Sequence, residues 1–194
     1  MAPLRIAVLI SGGGTTLKNL IDLRDNGELN VDFSLVISSK ASAGGIQFAN
    51  DAGIPAIVVR KKDCNDAQEH SRKIFDAIRE ANAELVVMGG YLEHLLIPAD
   101  FENRVLNIHP SLIPSFCGQG MYGLKVHQAA IDFGVKISGC TVHFVDNEYD
   151  HGPIVLQRAC EVLENDTAAS LQGRVFSLER EALPAAIRAI EESR

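Results

Sequence analysis

The tightest constraint on the fold is the run Leu4-Arg5-Ile6-Ala7-Val8-Leu9-Ile10, followed at once by Ser11-Gly12-Gly13-Gly14-Thr15-Thr16. A near-continuous apolar run of this length reads as a strand buried on both faces, the pattern of a parallel sheet. Parallel strands need crossover connections, usually helices, and the sequence supplies them. A helical pattern from Leu17 to about Leu23 closes at the turn Asn26-Gly27. Val31 to Ile37 reads as a second strand and Gly45 to Asp51 as a short helix. Ala56 to Val59 reads as a third strand, Asp66 to about Asn82 as an amphipathic helix with Ile74, Ala77 and Ile78 on one face, and Leu85 to Met88 as a fourth strand. This alternation predicts an α/β fold built from βαβ units.

Beyond Leu85 the pattern changes. Val105 to Ile108 reads as a fifth strand and Leu124 to Phe133 as a helix. Ile137 to Val145 and Ile154 to Val162 read as two longer strands. Their link is too short for a crossover helix, so they are expected to run antiparallel. Thr167 to Arg194 reads as helix, broken near Pro184. The 194 residues suit one domain.

Charge and cysteine usage narrow the function. A net charge of −7 argues against a surface that coats nucleic acid, while leaving room for a basic pocket for one phosphate. Cys64, Cys117, Cys140 and Cys160 are widely spaced and form no C-x-x-C, so they read as free thiols of a reducing compartment. The start of the chain, Met1-Ala2-Pro3-Leu4-Arg5, has no signal-peptide pattern, and no apolar run approaches membrane-spanning length. The expected location is cytoplasmic.

Three segments could carry chemistry. The glycine turn after the first strand can bring backbone N–H groups to an anion, with a helix N-terminus behind them. It is not a Walker A loop, and Leu17 stands where a dinucleotide fingerprint needs its third glycine. Asn107 and His109 sit two apart at the end of the fifth strand, so they are expected to share a face. One offers an amide, the other an imidazole, and Pro110 and Pro114 stiffen the exit. The acidic loop Asp146-Asn147-Glu148-Tyr149-Asp150-His151-Gly152-Pro153 could bring a carboxylate to His109. Ser111 invites a Ser-His-Asp reading with His109 and Asp150, although its flanks lack the glycines of a nucleophile elbow. His143, Asp150 and His151 match no defensible metal-ligand spacing. His70 and His127 are expected to be solvated on their helices, and Glu179, Arg180 and Glu181 to form an exposed helix face.

Asn107-Ile108-His109-Pro110-Ser111-Leu112-Ile113-Pro114, with Phe116 and Gly118 after it, resembles the signature of the folate-dependent formyltransferases. Two other blocks are similar to the branch that formylates glycinamide ribonucleotide in purine biosynthesis. One is Ile10-Ser11-Gly12-Gly13-Gly14-Thr15. The other is Ser138-Gly139-Cys140-Thr141-Val142-His143-Phe144-Val145, running on into Asp150-His151-Gly152-Pro153-Ile154. The resemblance covers nearly the whole chain. On 194 residues, neither the extra carboxyl-terminal domain of relatives that formylate initiator transfer RNA nor the amino-terminal domain of deformylating relatives is expected.

The resemblance implies a Rossmann-like formyltransferase fold spanning residues 1–194 as a single domain. Its central sheet is mostly parallel, with antiparallel strands near the C-terminus and helices on both faces. It implies one-carbon transfer from 10-formyltetrahydrofolate, as co-substrate and without a metal, to the amine of glycinamide ribonucleotide, by direct attack through a tetrahedral intermediate. The alternatives are a formyltetrahydrofolate hydrolase-like enzyme and a Ser111 hydrolase. Asn107, His109 and Asp150 match the catalytic trio. Gly13, Gly14, Thr15 and Thr16 match the phosphate loop, and Glu179 matches a ribonucleotide contact. Leu92, Glu93, His94 and Leu95, with Val145, Asp146, Asn147 and Glu148, match the folate-binding segments. The Ile113-Pro114 bond is cis in relatives. The expected partners are the two small substrates, with no nucleic acid or membrane, in a monomer or homodimer. The chain departs from the family pattern at three places: Thr16 for an asparagine, Leu92-Glu93-His94 for a stretch carrying a cation, and a longer loop at Gln119-Gly120-Met121-Tyr122-Gly123.

Overall fold

The computed structural model describes residues 2–194; Met1, the first residue of the expected domain, lies outside them. Seven strands hydrogen-bond in the order β3-β2-β1-β4-β5-β6-β7. The chain divides into two compact units, residues 1–106 and 107–194.

The first unit is the βαβ series. Its elements are β1 (Leu4–Ile10), α1 (Thr15–Asp25), β2 (Val31–Ser38), α2 (Gly45–Asp51), β3 (Ala56–Val58), α3 (Ala67–Glu80) and β4 (Leu85–Met88). β1 lies between β2 and β4 and runs parallel to both, and β3 runs parallel to β2. Ile6 to Ile10 are fully buried, as their apolar run requires. The order 3-2-1-4 places a topological switch point between β1 and β4. Open α/β sheets bind ligands just beyond the carboxyl ends of the strands there. Two single-turn helices, Lys61–Asp63 and Ala99–Phe101, carry no periodic pattern and were not foreseen. α3 starts where Asp66 caps it, its carboxylate accepting the Glu69 N–H at 2.7 Å.

β5 (Val105–His109) begins at the end of the first unit. The second unit continues with α4 (Leu124–Phe133), β6 (Ile137–Phe144), β7 (Ile154–Glu161) and α5 (Ala168–Glu192). β6 and β7 are antiparallel, as the short link demands. α5 packs against both and against α4. The expected break at Pro184 is absent: α5 runs through it for 25 residues. Proline removes one N–H from the helical ladder. Here Ala182, Leu183, Ala186 and Ile187 are buried around it, and their packing holds the helix through the defect.

The two helical histidines expected in solvent are buried, His70 with none of its surface exposed and His127 with 1 %. His70 lies four residues before Ile74 and eight before Ile78, which places it on the apolar stripe of α3. Burial depresses the basicity of both imidazoles. Among the described residues no helix is long and apolar enough to cross a membrane.

Candidate active site

The end of β5 delivers Asn107 and His109 to a loop that brings Asp150. His109 Nδ1 lies 3.5 Å from Asp150 Oδ2, and His143 Nε2 lies 3.8 Å from Asp150 Oδ1. His109 Nε2–H donates to the Phe116 carbonyl at 2.9 Å. Both ring nitrogens of His109 therefore face oxygen, an arrangement that an imidazolium satisfies with two donors. Asp150 Oδ2 also accepts the Gly118 N–H at 2.8 Å.

His143 on β6 joins this group, although the sequence reading weighed it only as a metal ligand. Its Nδ1–H donates to the Phe144 carbonyl at 2.9 Å. That leaves Nε2 as an acceptor, and Asn107 Nδ2 donates to it at 3.2 Å. The neutral tautomer of His143 thereby fixes which way the Asn107 amide points. Burial is the main influence on His143 and lowers its pKa; the hydrogen bond to the Phe144 carbonyl and then Asp150 pull in the other direction, and His109 adds to the lowering. No spacing signal marks His143, because a register shift between Val142 and His143 interrupts the alternation of β6.

Thr141 holds the exit from β5. Its hydroxyl donates to the Ser111 carbonyl at 2.7 Å and accepts the Ile113 N–H at 3.0 Å and a Gln157 amide hydrogen at 2.9 Å. The Ile113-Pro114 peptide is cis. Ser111 is buried, and its own hydroxyl donates to the Ser115 carbonyl at 2.6 Å. That bond commits the hydroxyl that a Ser-His-Asp hydrolase would need free.

In the first unit, the glycine turn leads into α1 with Gly14 at the N-cap, φ 74°. A side chain there would meet the Gly45 backbone, since a Cβ would lie 2.3 Å from Gly45 Cα. No acidic residue occupies the first turn of α1, so nothing there offsets the positive end of its dipole. Gly12, Gly13 and Thr15 are exposed and Thr16 is half-buried. Leu92 N–H donates to Ser11 Oγ at 3.0 Å, which ties the 92–95 segment to the base of the glycine turn. Leu92 is exposed, Glu93 and His94 are half-buried, and Leu95 is buried. Glu93 lies 3.7 Å from Lys61 Nζ, so a cation does stand near this segment, carried by the turn after β3.

In the second unit, Glu179 on α5 is half-buried while its neighbours Arg180 and Glu181 are exposed. Burial pushes its carboxyl up to about 7. The sequence reading of residues 179–181 as one exposed face is therefore correct for the last two only. The loop from Val145 to Glu148 leaves β6, with Asn147 and Glu148 exposed.

A sequence model of a family described as Formyl transferase matches residues 4–187. The chain belongs to the formyl transferase family. It is 38% identical over 194 residues to the chloroplastic phosphoribosylglycinamide formyltransferase of Vigna unguiculata, matching 98% of this chain and 62% of that protein. It thus spans about three-fifths of the length of that plant relative. It is 36% identical over 193 residues to phosphoribosylglycinamide formyltransferase of Haemophilus influenzae, covering 98% of this chain and 88% of that one. Its fold superposes on glycinamide ribonucleotide transformylase 1 from Symbiobacterium toebii with a TM-score of 0.92 and 37% identity, covering 100% of this chain and 90% of that structure. The mostly parallel sheet with antiparallel strands at its C-terminal end is the fold of these transformylases.

Proposed function

We propose that this formyl transferase moves the formyl group of 10-formyltetrahydrofolate to the amine of glycinamide ribonucleotide, the reaction for which its relatives are named. The observation that carries the reading is the convergence of Asn107, His109 and Asp150 at the end of β5 in a member of this family. When the amine attacks the formyl carbon, negative charge develops on the formyl oxygen. Asn107 spends one Nδ2–H on His143 and keeps a second for that oxygen. A protonated His109, its two N–H groups turned to Asp150 and the Phe116 carbonyl, adds positive charge rather than a further donor. Asp150 stabilises that imidazolium and assists the movement of a proton from the attacking amine to the departing nitrogen. Aligning the two substrates contributes much of the rate.

In this reading Gly13, Gly14, Thr15 and Thr16 cradle the ribonucleotide phosphate and Glu179 contacts the ribonucleotide. Leu92 to Leu95 and Val145 to Glu148 hold the folate. The span of the family match supports reading residues 1–194 as one formyltransferase domain. Its partners in this reading are the two small substrates, and it acts as a monomer or homodimer. Four free cysteines fit a reducing compartment such as the cytoplasm. The test is turnover by the purified protein with each substrate alone and with both. Folate is consumed only when the amine is present if the reading holds. Consumption that is equally fast without the amine would make the protein a hydrolase.

A further inference from the structure

The loop that carries Asp150 holds itself closed, and the residue that closes it is His151. Asp150 has a left-handed backbone, φ 52°, which a residue with a side chain rarely adopts without outside restraint. The base of the loop is zipped by the Phe144 N–H donating to the Pro153 carbonyl at 2.9 Å. Gly152 packs there so closely that a Cβ would lie 2.0 Å from the Phe144 carbonyl oxygen. Inside the loop, Asp146 uses both carboxylate oxygens. Oδ1 accepts the Glu148 N–H at 2.8 Å, and Oδ2 accepts His151 Nδ1–H at 2.7 Å. His151 directly follows Asp150, so this bond fixes the chain on the far side of the left-handed residue. On the site side, Asp150 is held by the Gly118 N–H at 2.8 Å.

We propose that His151 is a positioning residue: by clasping Asp146 it keeps the 145–152 loop in the one conformation that presents Asp150 to Gly118, His109 and His143. The clasp itself stands on geometry alone; its bearing on turnover rests on the function proposed above.

The clasp is sensitive to pH in a defined direction. Asp146 first, then Glu148, raise the basicity of His151, and His151 in turn lowers that of Asp146. These two carboxylates are the charged groups that face His151; His143 also acts on Asp146. A raised histidine pKa means that the charged clasp is complete below the ordinary histidine range and fades as pH rises through its own titration. Above that point a neutral His151 can still donate Nδ1–H, so the clasp weakens without opening.

The Gly118 amide reports Asp150 directly and needs no substrate. Its hydrogen-exchange protection is measured in ligand-free wild type, His151→Ala and Asp146→Asn at pH 6 and pH 8.5. At pH 6 both variants should lose protection about two- to fivefold, the range for an exposed charged pair. The gap between wild type and His151→Ala should narrow at pH 8.5. That difference is what is read, because His109 and His143 also face Asp150. Asp146→Asn should move the His151 ring titration to lower pH. Protection at Gly118 equal to wild type in both variants at pH 6, or a gap unchanged by pH, overturns the proposal. Turnover separates the two readings. Reduced Gly118 protection in variants that consume folate equally fast without the amine would support the clasp and overturn the formyl-transfer reading.

Discussion

Asp150 divides its carboxylate between two histidines, with Oδ2 3.5 Å from His109 Nδ1 and Oδ1 3.8 Å from His143 Nε2. The two rings differ in state. His143 is locked as a neutral Nδ1–H tautomer by the Phe144 carbonyl, while both nitrogens of His109 face oxygen. One ring therefore orients Asn107, and the other is held between Asp150 and the Phe116 carbonyl.

Removing the charge at Asp150 should separate these roles. Asp150→Asn should lower kcat by about 10²- to 10⁴-fold while changing ribonucleotide KM little. It should also move the His143 titration, followed by NMR, further down, since Asp150 is, after the Phe144 carbonyl, one of the groups that raise it. The double variant with His109→Ala should be little worse than the worse single, because groups that act together are not additive. Fully multiplicative losses would show that His109 and Asp150 work independently.

Much of this site was legible before the fold was known. Asn107 and His109 announce themselves by their spacing at a strand end, and the polar loop offered the carboxylate. His143 was not legible, because its role depends on the Phe144 carbonyl that sets its tautomer, a contact no spacing encodes. The buried histidines were misread for a different reason. His70 obeys the apolar periodicity of α3, but its residue type suggested solvent. The uninterrupted α5 shows tertiary packing overriding a local helix breaker at Pro184.

The glycine turn contains one position that tests ligand binding and one that tests structure. Gly13 has open space where a Cβ would go and no positive φ, whereas Gly14 abuts Gly45. Gly13→Ala should fold with an unchanged melting temperature and raise ribonucleotide KM more than folate KM. Gly14→Ala should cost about 1–3 kcal/mol of stability by denaturant unfolding. If Gly13→Ala weakens both substrates equally, the turn is not a phosphate cradle.

On the proposed ribonucleotide role, binding and stability pull in opposite directions at Glu179. Its carboxyl is raised to about 7 by burial, so its ionisation destabilises the fold progressively as pH climbs from the ordinary glutamate range through 7. Glu179→Gln should therefore raise the melting temperature at pH 8, by a gain of up to about 3 kcal/mol, and leave it unchanged at pH 4. The same variant should weaken ribonucleotide binding. A stability gain with unaltered binding would remove Glu179 from the substrate site.

Asp166 should govern part of the acid lability. Its carboxylate accepts two hydrogen bonds from Arg174, one from Ser170 Oγ and one from the Leu163 N–H, which hold its pKa well below the usual carboxylate range. A depressed carboxylate contributes stability above its unfolded value that is lost as pH falls towards its folded one. Asp166→Asn should lower the melting temperature at pH 6, and the gap to wild type should shrink below pH 4. A gap constant from pH 6 to pH 3 would contradict this assignment.

In the proposed reaction the formyl carbon passes directly from folate to amine. This step is tested most directly by supplying 10-formyltetrahydrofolate labelled with carbon-13 in the formyl group, together with glycinamide ribonucleotide, and following the label by NMR. Direct transfer predicts that the label appears in the formamide of the ribonucleotide product, one for each tetrahydrofolate released, with none in free formate. Label accumulating as formate while the ribonucleotide stays unmodified would contradict it.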